Sequence, residues 1–298
     1  TGTVNGKSYT KNVSVTVNQF KDVYELTYSD GIVYMPEGFK IAKGSASTVQ
    51  SGIVIEDKDG NQFVWVPVAT LADYKRTWYT GHGTLSNYSE ALPEDEKTSV
   101  ETYKGFYIGR YEAGDKENTE AKTLRSSNDV TKTVTIKANQ APYNYVKMAQ
   151  AVSLAEGFAT KQGYKAKTKL VSSYAWDTTI EFIQKVNSDY GNSSEEGNYR
   201  DKSVTYKDIT DESKPEKTKA KNLSLLVATG QTTPVCNIYD MGGNVWEWST
   251  ESYSNTDSPY AKRGGYYYDN FAFYPAGGRL NDSDHAGASY GFRLTLFM

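Results

Sequence analysis

The stretch Asn237-Ile-Tyr-Asp-Met-Gly-Gly-Asn-Val-Trp-Glu-Trp248 constrains this chain more than any other part of it. Met241-Gly-Gly-Asn244 is turn chemistry, because glycine takes positive φ at no steric cost and asparagine tolerates it. Val245-Trp-Glu-Trp248 then alternates with a period of two. That places both indoles on one face of a strand and Val245 with Glu247 on the other. Tryptophans sharing a face anchor a core. A carboxylate beside buried indoles needs a partner, since a desolvated charge left alone is costly.

Arg263-Gly-Gly-Tyr266 follows, and Gly291-Phe-Arg293 closes the chain a few residues before its end. The order N-x-Y-D-M-x-G-N-V-W-E-W, then R-G-G, then G-F-R resembles the formylglycine-generating-enzyme-like (sulfatase-modifying factor) family, a branch of the C-type lectin fold. The resemblance implies an α+β domain over residues 21–298. It also implies a structural calcium ion held by Asp240 and Glu247 with the backbone carbonyls of Gly243 and Val245. Hard oxygen ligands and a glycine-rich turn that brings carbonyls inward suit that ion. The plainer alternative is that the tryptophans anchor a core and no ion is bound.

The 298 residues suffice for one large core, as a single domain or a domain plus a fragment. A net charge of −3 with mixed signs gives no bias toward nucleic acid or an acidic substrate. The lone cysteine, Cys236, rules out an internal disulfide or a cysteine-rich metal site. His82 and His285 lie far apart in sequence and make no histidine site by themselves. No apolar run approaches the roughly 20 residues of a membrane span, so direct membrane insertion is not expected. The first residue is Thr1 rather than Met, which is compatible with a removed signal or upstream domains.

Residues 1–20 read as two short strands, with a turn at Gly6-Lys7 and an alternating run Val13-Ser-Val-Thr-Val17. They are either the last hairpin of an immunoglobulin-like domain, which they weakly resemble, or an N-terminal hairpin of the main domain. Gly52–Glu56 and Phe63–Pro67, joined through Asp59-Gly60, predict a hairpin. Phe106–Glu112 predicts a further strand and resembles the family's F-x-I-x-x-x-E. Residues 70–104 and 187–222 are polar and read as surface insertions. Helices are expected over 146–160, with Met148, Val152 and Ala159 inward and Ala151 and Ala155 beside them, and after an N-cap at Ser173, with Trp176, Ile180, Phe182, Ile183 and Val186 inward.

In the family's catalytic members the chemistry depends on a cysteine pair between the glycine turn and G-F-R, which binds copper. Tyr266–Tyr290 contains no cysteine, and nothing else there supplies the soft ligand that copper needs. The branch that uses iron does so on a separate histidine-rich domain, which this chain lacks. An enzyme is therefore not expected, and neither copper nor iron. What the stretch offers instead is dense in aromatic and small polar residues, a composition typical of paratopes. A run such as Tyr266-Tyr-Tyr268, if a strand, must alternate and expose at least one ring.

A second resemblance follows from this. Variable proteins of diversity-generating retroelements use the same branch of the fold, and their hypervariable residues lie between R-G-G and a terminal G-F-R. Mutagenesis at adenines lets asparagine codons become Tyr, Asp, His, Ser, Phe, Leu, Ala or Gly, and residues 266–290 are drawn largely from that list. The resemblance implies a recognition surface formed by Tyr266, Tyr267, Tyr268, Asp269, Phe271, Phe273 and Tyr274, completed by Leu280, Asp282, Asp284, His285 and Tyr290. His285 has a second reading, a hydrogen bond within its own loop. The expected partner is a surface protein or carbohydrate of a target cell, and the expected setting is extracellular, on a bacterial cell surface or a phage virion. A fixed adhesin of the same fold is the alternative.

Overall fold

Leu294–Phe297, the last strand of the chain, lies inside a six-stranded sheet rather than at its edge. The sheet runs in the order Lys167–Leu170, Leu294–Phe297, Gly105–Gly109, Gln62–Pro67, Val54–Glu56, Lys40–Ile41. The computed structural model describes residues 2–4, 7–9, 16–20, 22–192, 196–211, 213 and 216–298. The expected hairpin is present, with Val54 opposite Val64 and Ile55 opposite Phe63. Its β-branched and aromatic side chains are buried on both faces, which is why the run is nearly continuous rather than alternating.

A second sheet is built on Trp246–Tyr253. Antiparallel to it runs Tyr260–Arg263, followed by Gly278–Asp282, while Tyr290–Phe292 pairs with it in parallel. The parallel register sets Glu247 beside Gly291 and Trp248 beside Phe292. The chain therefore leaves the second sheet at Phe292 and enters the first at Leu294, with Arg293 at the joint.

Two helices pack on this frame, Met148–Gln162 and Ser173–Gln184. In the first, the buried face is Ala151, Leu154, Ala155, Phe158 and Ala159, whereas Met148 and Val152 are only partly covered. In the second, Ser172 rather than Ser173 is the N-cap, its side chain accepting from Ala175 N. Trp176, Ile180, Phe182 and Ile183 are buried as expected, but Val186 lies beyond the last helical turn and is exposed.

The polar segments do not simply cover the surface. Within 70–104, Tyr74 and Tyr88 are buried, a helix spans Glu94–Tyr103, and the Tyr74 hydroxyl donates to Glu96 at 2.7 Å. Within 187–222, Tyr190, Asn198, Tyr199 and Lys219 are buried. Several of these polar groups find hydrogen-bond partners inside, as when Asn198 Nδ2 donates to Leu225 O and Asn244 Oδ1. At the N-terminus, Gly2–Val4 pairs with Lys7–Tyr9, while Gly6 and most of the Val13–Val17 run lie outside the described residues. Thr16–Phe20 pairs with Val23–Tyr28, which in turn pairs with Gly31–Pro36.

Buried arginines hold the second sheet to the second helix. Arg263 and Arg279 face each other across neighbouring strands and share Asp177, Arg263 reaching Oδ1 at 2.6 Å and Arg279 bonding to Oδ2. Arg279 Nε also reaches Glu251 Oε2 at 2.9 Å, and Arg76 takes the other oxygen of that acid. All but Arg76 are fully shielded from water. Breaking a buried pair by removing one partner costs about 3–5 kcal/mol. Asp177→Ala is therefore expected to lose about that much stability in urea unfolding. A loss below about 1 kcal/mol would mean that Glu251, Ser173 and the neighbouring carbonyls satisfy both guanidiniums without Asp177.

Candidate recognition surface and cation site

The glycine turn of the central motif is set by a close approach. A Cβ on Gly243 would lie 2.6 Å from Asn198 O, and its φ is +73°. Asn244, at φ +56°, receives the backbone of the same segment, its N donating to Asn198 O at 3.0 Å. The strand that begins at Trp246 keeps the expected alternation. Trp246 and Trp248 share a face with Tyr290: Tyr290 stacks on Trp248 with centroids 5.3 Å apart, and Lys262 Nζ sits between Trp246 and Tyr290.

Glu247 points the other way and finds its partner in Arg293. The contact is bidentate, Nε to Oε2 at 2.9 Å and Nη2 to Oε1 at 2.7 Å, with both side chains shielded from water. Arg293 Nη1 also donates to Gly109 O at 2.9 Å, so this one guanidinium joins the two sheets. Asp240 is equally buried and accepts from Gly230 N at 2.5 Å and Thr232 Oγ1 at 2.8 Å. Glu112, on the segment after Gly105–Gly109, completes the group. Its Oε1 accepts from Asn244 Nδ2, and its Oε2 has no hydrogen-bond partner. Burial, with Asp240 and Glu247 close by, drives the Glu112 carboxyl well above its ordinary range.

Asp240 and Glu247 are oxygen donors of the kind a hard cation takes. Three buried carboxylates share the field of Arg293. Every ionised oxygen that accepts one hydrogen bond keeps lone pairs for another contact. Among the described residues no three His, Cys, Asp or Glu side chains converge as a metal cage. An ion held by Asp240 and Glu247 would thus need the carbonyls of Gly243 and Val245, and water, as further ligands.

The expected recognition residues fall into two groups. Tyr266–Asp269 is a turn, not a strand, with Asp269 N donating to Tyr266 O. Gly265 permits this turn, since a Cβ there would meet Tyr274 O at 2.5 Å. Tyr268 is 55% exposed and Phe273 67% exposed, and His285 also faces solvent. Tyr266, Tyr267, Phe271 and Tyr274 are half-buried, Tyr274 against Trp246 and Phe271 beneath Lys202. Leu280, on the Gly278–Asp282 strand, is likewise half-buried.

The returning segment is more tied down. Asp282 pairs with the buried Lys262, accepts from Tyr290 Oη at 2.9 Å, and lies 3.0 Å from His285 Nδ1. His285 thus makes the bond within its own loop. Asp284 Oδ1 accepts from Met148 N at 2.9 Å at the start of a helix. Lys262, Asn198 and the acids around Arg263 and Arg279 were not singled out from sequence, and Glu112 entered only as the last residue of a strand motif. The one available signal was Glu247 itself, an acid beside indoles that needed a partner.

Residues 9–296 match the family described as Sulfatase-modifying factor enzyme 1-like domain. No curated protein matches the sequence. Solved structures that match the chain include CarF, at TM-score 0.46 and 14% identity, covering 80% of this chain and 98% of that one. PvdO from Pseudomonas aeruginosa matches at TM-score 0.46 and 16% identity over 82% of this chain and 98% of its own. Treponema denticola variable protein 1 matches at TM-score 0.45 and 12% identity over 89% of this chain and all of its own. Among the described residues no helix is long and apolar enough to cross a membrane.

Asp269 carries a pH dependence into the exposed turn. Burial pushes its carboxyl up to about 6, against the opposing pull of the Tyr266 backbone and Lys262, and its Oδ2 has no partner. An acid whose folded-state value is raised loses stability as pH rises through that value. Asp269→Asn is therefore expected to match the native chain in melting temperature near pH 4. At pH 7.5 it should be more stable by about 1 kcal/mol, after allowance for solvent screening. Equal stability at both pH values would place the carboxylate in water.

Proposed function

The chain belongs to the Sulfatase-modifying factor enzyme 1-like family, and on that premise we propose that it is a non-catalytic binding protein presenting a hypervariable C-terminal surface. It is the variable protein of a diversity-generating retroelement. The observation that carries this reading is the separation of display from support. Tyr268 and Phe273 are large, exposed aromatics on a turn, while the strands on either side are held by buried Arg263, Arg279 and Arg293. Exposed residues on a rigid frame can change without unfolding it. Fold alone does not imply the family's oxidase activity, and Tyr266–Tyr290 contains no cysteine to bind copper.

The ligand in this reading is a surface protein or carbohydrate of a target cell, bound non-covalently. Aromatic anchors contribute most of the affinity, because rigid rings add contact area at small entropic cost. The carrier is a bacterial cell surface or a phage virion, outside the cytoplasm. A structural calcium ion at Asp240, Glu247 and the carbonyls of Gly243 and Val245 belongs to the same proposal. Bound there, it would stiffen the turn beneath Tyr267, whose N donates to Asn244 O at 3.1 Å.

One observation favours a fixed adhesin instead. Asp282, Tyr290 and Lys262 form a mutually fitted cluster, and such contacts suit one sequence better than many. Sequencing the DNA for residues 240–298 and its flanks across the source population separates the two. The proposal expects substitutions crowded into the codons for Tyr266–Tyr290 and a near-copy of that segment beside a reverse-transcriptase gene. A constant segment with no such copy would make the chain a fixed binder.

A further inference from the structure

Two fully buried oxygens flank Asn244 without a hydrogen-bond donor, Glu112 Oε2 and Asn198 Oδ1. Their residues are otherwise fixed. Glu112 Oε1 accepts from Asn244 Nδ2, and Asn244 Oδ1 accepts from Asn198 Nδ2 at 2.9 Å and from Val227 N at 3.1 Å. Asn244 is the residue between Gly243 and Val245, the two carbonyls that a cation would take. A buried carboxylate or amide oxygen with no donor is rare and calls for a specific account.

Charge makes the same point independently. Glu112, Asp240 and Glu247 are all buried, and Arg293 is the guanidinium that feels all three. Arg293 spends its donors on Glu247 and on Gly109 O, and its bonds do not reach Glu112. Next to this group lies a cavity lined by Glu196, Ser203, Thr205, Thr232 and Thr233, and Thr232 also donates to Asp240. A hydroxyl-lined cavity beside Asp240 would give a hydrated ion a path inward.

We infer that Glu112 and Asn198 form the second shell of the cation site, their unpartnered oxygens accepting hydrogen bonds from waters on a calcium ion held by Asp240 and Glu247. This rests on the calcium reading above and extends it to residues outside the motif. Calcium readily keeps water among its ligands, and outer partners set affinity by orienting what lies inside. Glu112 also positions the turn directly, through Asn244.

The test is calorimetric titration of the full chain with calcium alone after chelator treatment, with melting temperatures in calcium and in chelator. Glu112→Gln keeps an oxygen for Asn244 Nδ2 and removes the charge. The native chain is expected to bind one calcium and to melt lower in chelator. Glu112→Gln should bind at least about tenfold more weakly while melting no lower than the native chain in chelator. Should that variant fail to fold, Asn198→Ala removes the other unpartnered oxygen and carries the same expected weakening. Native affinity in both variants overturns the second shell and leaves the calcium site standing. No calcium binding by the native chain overturns the site and the second shell together.

Discussion

The bidentate pair between Glu247 and Arg293 is the contact on which both sheets depend. Glu247 lies on the strand that founds the second sheet, and Arg293 lies where the chain passes from that sheet into the first. The third donor of Arg293 reaches Gly109 O in the first sheet. A fold assembled from such distant segments cannot form this joint until Tyr290–Phe292 has aligned in parallel with Trp246–Trp248. The pair therefore fixes register as well as charge. Were the strand displaced by one residue, Glu247 would face the tryptophan side and Arg293 would be buried without an acid.

Around this joint the interior is unusually polar. Arg263, Arg279 and Asp177 form one network, Glu112, Asp240, Glu247 and Arg293 another, and both lie at zero or near-zero exposure. Such groups contribute less to net stability than apolar packing would, since desolvation offsets most of the attraction. What they supply is geometry. They hold the Tyr260–Arg263 and Gly278–Asp282 strands rigidly under a turn whose own side chains, Tyr268 and Phe273, bury little. Recognition then draws on the exposed rings, and folding draws on what lies beneath them.

Much of this frame was legible in the sequence. The alternation of Val245–Trp248, the turn at Gly243 and the Val54–Pro67 hairpin all follow from local chemistry, and all are present. The role of Arg293 was not, because a buried arginine looks like a surface arginine until its acid is known. Asn198, Tyr199 and Lys219 were hidden for a similar reason: a polar stretch reads as solvated, and only three-dimensional partners make it an interior one. Tyr266–Tyr268 misled differently. Three aromatics in a row suggest a strand, but Gly264 and Gly265 at positive φ turn the chain there. Asp282 and Tyr290, expected on the recognition surface, are also tied to Lys262, a contact that the sequence did not show.

The separation of display from support is measured most directly by a substitution scan over residues 240–298, scored for protease-resistant folded protein. The account predicts that nearly any residue at Tyr268, Phe273 or His285 leaves folded yield unchanged, whereas substitutions at Glu247, Arg263 or Arg293 abolish it. Asp282 and Tyr290 should fall between, tolerating only residues that still engage Lys262. If Tyr268 and Phe273 prove as intolerant as the arginines, the aromatic turn is part of the fold and not a surface carried by it.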